Sequence, residues 1–267
     1  MATHSVHEWK PEGPPRAGLL IAHGYAEHGG RYGALAAALN GAGVYVRAYD
    51  QRGHGRSGGR RGQLPAFDTL VGDLSAQLDA ARGAEGAMPW FLLGHSMGGL
   101  VAAHFLAVSA PPVAGAILSS PFLALPDDVP GWKRRFSGVL GRALPWLPVA
   151  RLETAALSRD PAAVSAYEGD PLVYHGPVRA GAGLVLLEGV RRSAGLGRRV
   201  GAPLLLLHGT ADRIAPVRGS DGFFAGVAPG RGTYLREEGG YHELFHDVCG
   251  ERMVCAVVGW VEARLGL

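Results

Sequence analysis

The feature that most constrains this chain is Gly94-His95-Ser96-Met97-Gly98-Gly99, set between the apolar run Trp90–Leu93 and the helical run Leu100–Val108. A short apolar run closed by a turn reads as a buried strand, and the longer run after it reads as a helix. A serine at a sharp strand-to-helix turn, flanked by glycine two residues on either side, is an arrangement that lifts a hydroxyl out of a sheet. Glycine is needed there because side chains at 94 and 98 would collide with neighbouring backbone. Such a turn requires a parallel sheet beneath the serine and helices on the faces of that sheet.

The rest of the sequence supplies both. Leu19–Ala22, Val44–Tyr49, Trp90–Leu93, Ala114–Leu118, Leu204–Leu207 and Thr233–Leu235 are short apolar runs, each ending at a turn rich in Gly, His, Asp or Ser. Longer helical patterns alternate with them, which predicts an α/β domain whose mostly parallel sheet is covered on both faces. Open sheets of this kind bind ligands at the carboxyl ends of their strands. The rhythm stops between Phe122 and about Ala182, where prolines from Pro126 to Pro177 punctuate short helical pieces. The expected organisation is therefore a core in two parts, 1–121 and 183–267, with a helical cap, 122–182, inserted between them. Within the cap, Trp132, Phe136, Val139, Leu140, Ala143 and Leu147 form an apolar stripe, with Lys133, Arg134, Arg135 and Arg142 off it. Such a stripe packs onto a core or touches a lipid surface.

Composition excludes several classes. With 47% apolar and 18% charged residues the chain is a folded domain, not a disordered one. The formal charge of +3 comes from arginines scattered along the sequence, with Lys10 and Lys133 the only lysines, so no nucleic-acid partner is expected. Cys249 and Cys255 lie in a C-terminal stretch that reads as helix, where six residues of rise, about 9 Å, prevent a mutual disulfide. No apolar run reaches the roughly 18 residues of a membrane span, and Met1–Lys10 lacks a signal-peptide layout, so a cytoplasmic location is expected.

A serine hydroxyl is a weak nucleophile, so a base must lie within hydrogen-bond reach and a third group must orient that base. Asp212, in His208-Gly209-Thr210-Ala211-Asp212 after one strand, is the expected acid. His242, after Gly239-Gly240-Tyr241 and past the last strand, is the expected base. The order Ser, Asp, His is one that this type of sheet uses. His208 and His246, with Asp221 and Asp247, are rivals that rank lower on position. Attack on a carbonyl creates an oxyanion, and each backbone N–H donor to it contributes about 3 to 4 kcal/mol in the transition state. Met97, at the start of the helix, and Tyr25, in the loop after the first apolar run, are the expected donors. His23 is expected to brace that loop.

Four further segments carry a family resemblance: His23 to Tyr32 (HGYAEHGGRY), Tyr49 to Ser57 (YDQRGHGRS), and, in the cap, Leu157 to Pro161 (LSRDP) and Tyr167 to Val173 (YEGDPLV). With the serine turn, these segments resemble the monoacylglycerol lipase and lysophospholipase branch of the α/β-hydrolases over nearly the whole chain. The resemblance implies the α/β-hydrolase fold, hydrolysis of monoacylglycerol or lysophospholipid-type esters, an acyl tunnel under the cap, and no metal or cofactor. It carries Ser96, Asp212 and His242 over as the triad, and Tyr25 and Met97 as oxyanion donors. Glu27 and Arg31 fall near the glycerol end, as substrate contacts or as a salt bridge holding the loop. Animal members place a second histidine near the glycerol head group, three residues after the catalytic one; here Phe245 stands there, the third substrate contact that the resemblance implies, followed by His246. Tyr25 stands where they have alanine. The partners expected are a lipid ester, a membrane surface touched transiently through the cap, and at most a weak dimer through Trp132 and Trp146. The alternatives are a general carboxylesterase, a peptidase or an acyltransferase with the same triad, or a catalytically silent ligand-binding protein.

Overall fold

A computed structural model describes residues 4–126, 138 and 140–266. Seven strands build the central sheet: β1 (Val6–Trp9), β2 (Ala17–Ala22), β3 (Val44–Tyr49), β4 (Trp90–His95), β5 (Gly115–Ser119), β8 (Leu204–Gly209) and β9 (Gly232–Glu237). Their spatial order is β1-β3-β2-β4-β5-β8-β9, parallel throughout except for β1 against β3. Strands β2, β4, β5 and β8 are buried along their whole length, as continuous apolar strands covered on both faces must be. Alternate residues serve opposite layers. Leu20, Leu92 and Leu206 pack with α2 (Phe67–Glu85) and α3 (Met97–Val108). Leu19, Leu93 and Leu205 pack with α1 (Gly33–Gly41) and α7 (Gly250–Leu265). Phe67, Leu70, Leu74 and Leu78 give α2 the spacing of a single apolar stripe, and Met253, Val257, Trp260 and Val261 do the same for α7.

The segment after β5 contains β6 (Pro148–Ala150), α4 (Pro161–Gly169) and β7 (Val178–Arg179), followed by α5 (Ala180–Ser193), and α6 (Val217–Phe224) lies between β8 and β9. Two of these elements correct the sequence reading, since β6 and β7 pair antiparallel where only helical pieces were expected. They are two and three residues long, too short to carry a periodic signal. Leu157, Tyr167 and Val173 form a small core of their own in this segment. Of the apolar stripe and its basic flank, Trp132, Lys133, Arg134, Arg135, Phe136 and Val139 lie outside the described residues. The other missed element is β1, whose Val-His-Glu-Trp sequence alternates apolar and polar residues on the sheet edge. Cys249 precedes α7 as its N-cap, Cys255 lies within the helix, and both are free thiols. Among the described residues no helix is long and apolar enough to cross a membrane.

The turn between β4 and α3 determines how closely β2 can approach. A Cβ at Gly98 would sit well inside van der Waals contact with the carbonyl oxygens of Ala22 and His23, and one at Gly94 would lie 2.6 Å from the Gly98 oxygen. Gly98→Ala is therefore expected to cost about 3 kcal/mol through overpacking against backbone, lowering Tm by roughly 6 to 12 °C. Gly72→Ala, in α2 with open space at its Cβ, should be neutral or stabilising by up to about 1 kcal/mol. Thermal denaturation followed by circular dichroism distinguishes the two.

Candidate active site

Ser96 occupies the turn with φ 52° and ψ −116°, a strained conformation for a residue with a side chain. The turn holds because its backbone is engaged on every side. Ser96 N donates to Ser119 O across the sheet (3.0 Å), while Leu100 N and Phe122 N donate to Ser96 O (2.9 and 3.0 Å). The loop after β2 runs directly alongside, since a Cβ on Gly24 would lie 3.2 Å from that of Ser96.

Loops after β8 and β9 bring Asp212 and His242 to the serine. His242 Nε2 lies 2.9 Å from Ser96 Oγ, and His242 Nδ1 lies 2.7 Å from Asp212 Oδ2. A carboxylate only accepts, so Nδ1 carries the proton and Nε2 is left to accept the serine hydroxyl. Asp212 Oδ1 is held in turn by the amides of Ile214 and Ala215, each at 2.9 Å. All three side chains are buried. Burial alone would push the Asp212 carboxyl up, but the charge of His242 and hydrogen bonds from His208 and His242 hold it well below the usual carboxylate range. Burial likewise works to lower His242, yet the Asp212 charge and hydrogen bond, then Glu243 and Glu27, raise it above the ordinary histidine value. The geometry can withdraw a proton from Ser96 and return it to a leaving group.

The two backbone donors expected for an oxyanion lie in the two segments next to the serine, one at the start of α3 and one in the loop after β2. Met97 is the first residue of α3, where a helix leaves its amides without intrahelical partners. Neither the Met97 nor the Tyr25 amide has a protein acceptor among the described residues. The Tyr25 ring turns away from its amide's role. Its hydroxyl donates to Gly62 O (2.7 Å) and the ring meets His54 and Tyr174 edge-on. His23 braces the loop, donating from Nδ1 to Gly24 O (2.7 Å) and accepting from Gln51 N at Nε2 (2.8 Å).

Glu27 and Arg31 form the loop salt bridge, 3.0 Å long and almost wholly buried. Glu27 Oε1 also accepts from Gly24 N (2.6 Å) and from the Tyr32 hydroxyl (2.9 Å). Arg31 has a second partner that the sequence analysis missed. Its Nη1 and Nη2 each donate to Glu243 at 2.6 Å, and the guanidinium lies 4.7 Å above the Tyr167 ring. A glutamate directly after His242, in a loop that must be buried to reach the serine, was the available signal, because a buried charge needs a partner. Phe245 packs with the apolar layer of α1 and α7. The rival residues have other partners. His208 donates from Nε2 to Ala215 O (2.7 Å), with Asp212 Oδ2 at 3.3 Å, and its Nδ1 pairs with Ser220. His246 donates to Arg31 O, Asp221 accepts from Tyr234, and Asp247 pairs with Arg159.

One group of described residues has a metal ligand's composition, His7, His28 and Asp50, with ligand atoms within 4.8 Å of one another. These atoms are already engaged. His7 Nε2 donates to Asp50 Oδ1 (3.0 Å), His28 Nε2 donates to Asp170 Oδ2 (2.8 Å), and His28 Nδ1 accepts from Gly30 N (3.1 Å). Asp50 also accepts from the amides of Gly29 and Arg56. The cluster is a hydrogen-bonded brace joining the loop after β2 to the inserted segment.

Comparison with known proteins gives a consistent result. The family model described as Hydrolase_4, serine aminopeptidase, S33, matches residues 13–248. A monoacylglycerol lipase of Mycolicibacterium smegmatis is 36% identical over 258 residues, covering 96% of this chain and 92% of its own. A monoglyceride lipase of Homo sapiens is 35% identical over 241 residues, covering 90% and 80%. Among solved structures, the monoacylglycerol lipase of Paleococcus ferrophilus superposes with a TM-score of 0.88 at 33% identity, over 98% of this chain and 99% of that one.

The raised His242 value fixes the sign of a pH dependence. Only neutral His242 can accept a proton, so kcat/KM for p-nitrophenyl butyrate should fall as pH drops through a midpoint above about 6.5, the ordinary histidine value. A profile flat down to about pH 5 would contradict a histidine base.

Proposed function

The chain belongs to the Hydrolase_4 family (serine aminopeptidase, S33), and from that premise we propose that it is a serine ester hydrolase cleaving monoacylglycerol or lysophospholipid-type esters through an acyl-enzyme on Ser96. One observation carries the reading. Ser96, His242 and Asp212 form a buried chain of contacts at 2.9 and 2.7 Å, in a chain similar nearly end to end to monoacylglycerol lipases.

In this reading Ser96 Oγ attacks the ester carbonyl as His242 Nε2 takes its proton. The Tyr25 and Met97 amides receive the oxyanion, each contributing about 3 to 4 kcal/mol to the transition state. His242, now an imidazolium steadied by Asp212, passes the proton to the departing alcohol, and water repeats the sequence on the acyl-enzyme. No step requires a metal or cofactor. A silent binding protein would have no need of a strained serine within hydrogen-bond distance of a histidine–carboxylate pair. A peptidase or acyltransferase would use the same groups, and the choice among these rests on substrate profile.

The reading extends to the place of action. Two free cysteines agree with a reducing compartment, here taken as the cytoplasm. Leu144, Trp146 and Leu147 are 39%, 53% and 36% exposed in the inserted segment, with Arg142 and Arg151 exposed nearby. Apolar side chains beside basic ones suit brief contact with an anionic lipid surface, made by a monomer or weak dimer.

Initial rates on p-nitrophenyl esters of two to sixteen carbons, with 1-monoacylglycerol and lysophosphatidylcholine, test the substrate class. The expected result is a preference for medium or long acyl chains and turnover of monoacylglycerol, all lost on the order of a million-fold in folded Ser96→Ala. Preference for two-carbon esters, or for aminoacyl amides, would move the assignment to a general esterase or a peptidase. Sedimentation with anionic phosphatidylglycerol vesicles tests the surface contact. Trp146→Ala should weaken binding about tenfold, from the apolar area of one tryptophan, and equal binding would remove that patch from the account.

A further inference from the structure

Arg31 joins three segments that the chemistry needs in register. It holds Glu243 on the loop of the base, Glu27 on the loop of the Tyr25 amide, and the Tyr167 ring of the inserted segment. Glu243 follows His242 directly in the chain, so a carboxylate gripped through both oxygens anchors the backbone that carries the imidazole. The Glu243 amide is fixed as well, donating to Leu157 O at 2.8 Å. On the other side of the clamp Glu27 anchors Gly24 N, one residue before Tyr25. Bidentate arginine–carboxylate pairs fix orientation more strictly than a point contact does.

We propose that Glu243 is a positioning residue for the general base: clamped by Arg31, it holds His242 in line with Ser96 and sets the pH at which His242 becomes able to accept a proton. The inference rests on the reading of Ser96 as nucleophile and His242 as base, and deepens it.

The charge count around His242 gives the expected direction. The loop after β8 presents Asp212, with His208 behind it. The end of β4 presents His95, whose ring centre is 4.9 Å from that of His242 and which burial lowers to about 4, keeping it neutral. The loop after β2 presents Glu27 and Arg31, and the base's own loop presents Glu243 with His246 3.4 Å from it. From the inserted segment, Tyr167 stays neutral because burial raises its hydroxyl. Glu27 and Glu243 against the single guanidinium leave one net negative charge, enclosed by side chains at most 9% exposed and therefore weakly screened by salt. That charge, added to Asp212, favours protonated His242.

The test measures kcat and KM against pH with p-nitrophenyl butyrate for the parent, Glu243→Gln, Glu243→Asp and Arg31→Gln, each checked for folding by circular dichroism. Removing the negative charge in Glu243→Gln should lower the acid-limb midpoint by about half a pH unit or more. Its kcat should fall about tenfold or more while KM changes less than about threefold, because the base is misplaced and the substrate's own contacts remain. Glu243→Asp, which keeps the charge, should restore the parent midpoint, and Arg31→Gln should move the midpoint upward. Parent midpoints in folded Glu243→Gln and Arg31→Gln would overturn the proposal. So would a rise in KM at unchanged kcat, the mark of a substrate contact, or loss of folding in all three variants, the mark of a purely structural cluster. Absence of Ser96-dependent turnover in the parent would remove the underlying reading, an outcome distinct from an unmoved midpoint.

Discussion

Contact between Gly98 and the carboxyl end of β2 is the constraint on which the rest of the structure depends. Because residue 98 has no side chain, α3 can begin directly against the carbonyls of Ala22 and His23. The loop after β2, which carries Tyr25, is thereby brought alongside Ser96. The strained Ser96 backbone is tolerated because β5 and the start of α3 hold it by hydrogen bonds from both directions. Everything else at the site is delivered to that fixed point by loops from neighbouring strands.

A second constraint is electrostatic. The site encloses Asp212, Glu27, Glu243 and Arg31 in a region almost closed to water. Buried carboxylates survive as anions only where donors surround them, and each of these has them: amides and a histidine for Asp212, an amide, a tyrosine and an arginine for Glu27, a bidentate guanidinium for Glu243. The arrangement sets His242 beside anions that favour its protonated form and raise it above the ordinary histidine value.

Much of this was legible in the sequence because the features involved are local. Six of the seven sheet strands, the turn at Ser96, and the positions of Asp212 and His242 at strand ends all follow from apolar runs and the glycines that close them. The strands β1, β6 and β7 were not legible, being two to four residues long and held by pairing partners rather than by a hydrophobic pattern. The clamp of Arg31 on Glu243 was not legible either. The two residues are 212 positions apart, and only the convergence of the loops after β2 and β9 brings them together. Glu27 and Arg31 could be paired from sequence because they stand four positions apart on a tight turn, whereas nothing local links Tyr167 or Asp170 to that turn. Long-range polar contacts of this sort depend on topology, which periodicity does not encode.

The most direct test of the central claim is covalent. A fluorophosphonate reacts with a serine only when a base activates it and donors stabilise the charge on the adduct, so labelling followed by peptide mass mapping examines nucleophile, base and donors at once. The account predicts one adduct per chain, on Ser96, absent from folded Ser96→Ala and strongly slowed in His242→Ala. Labelling at another residue, or unchanged labelling of Ser96→Ala, would contradict it.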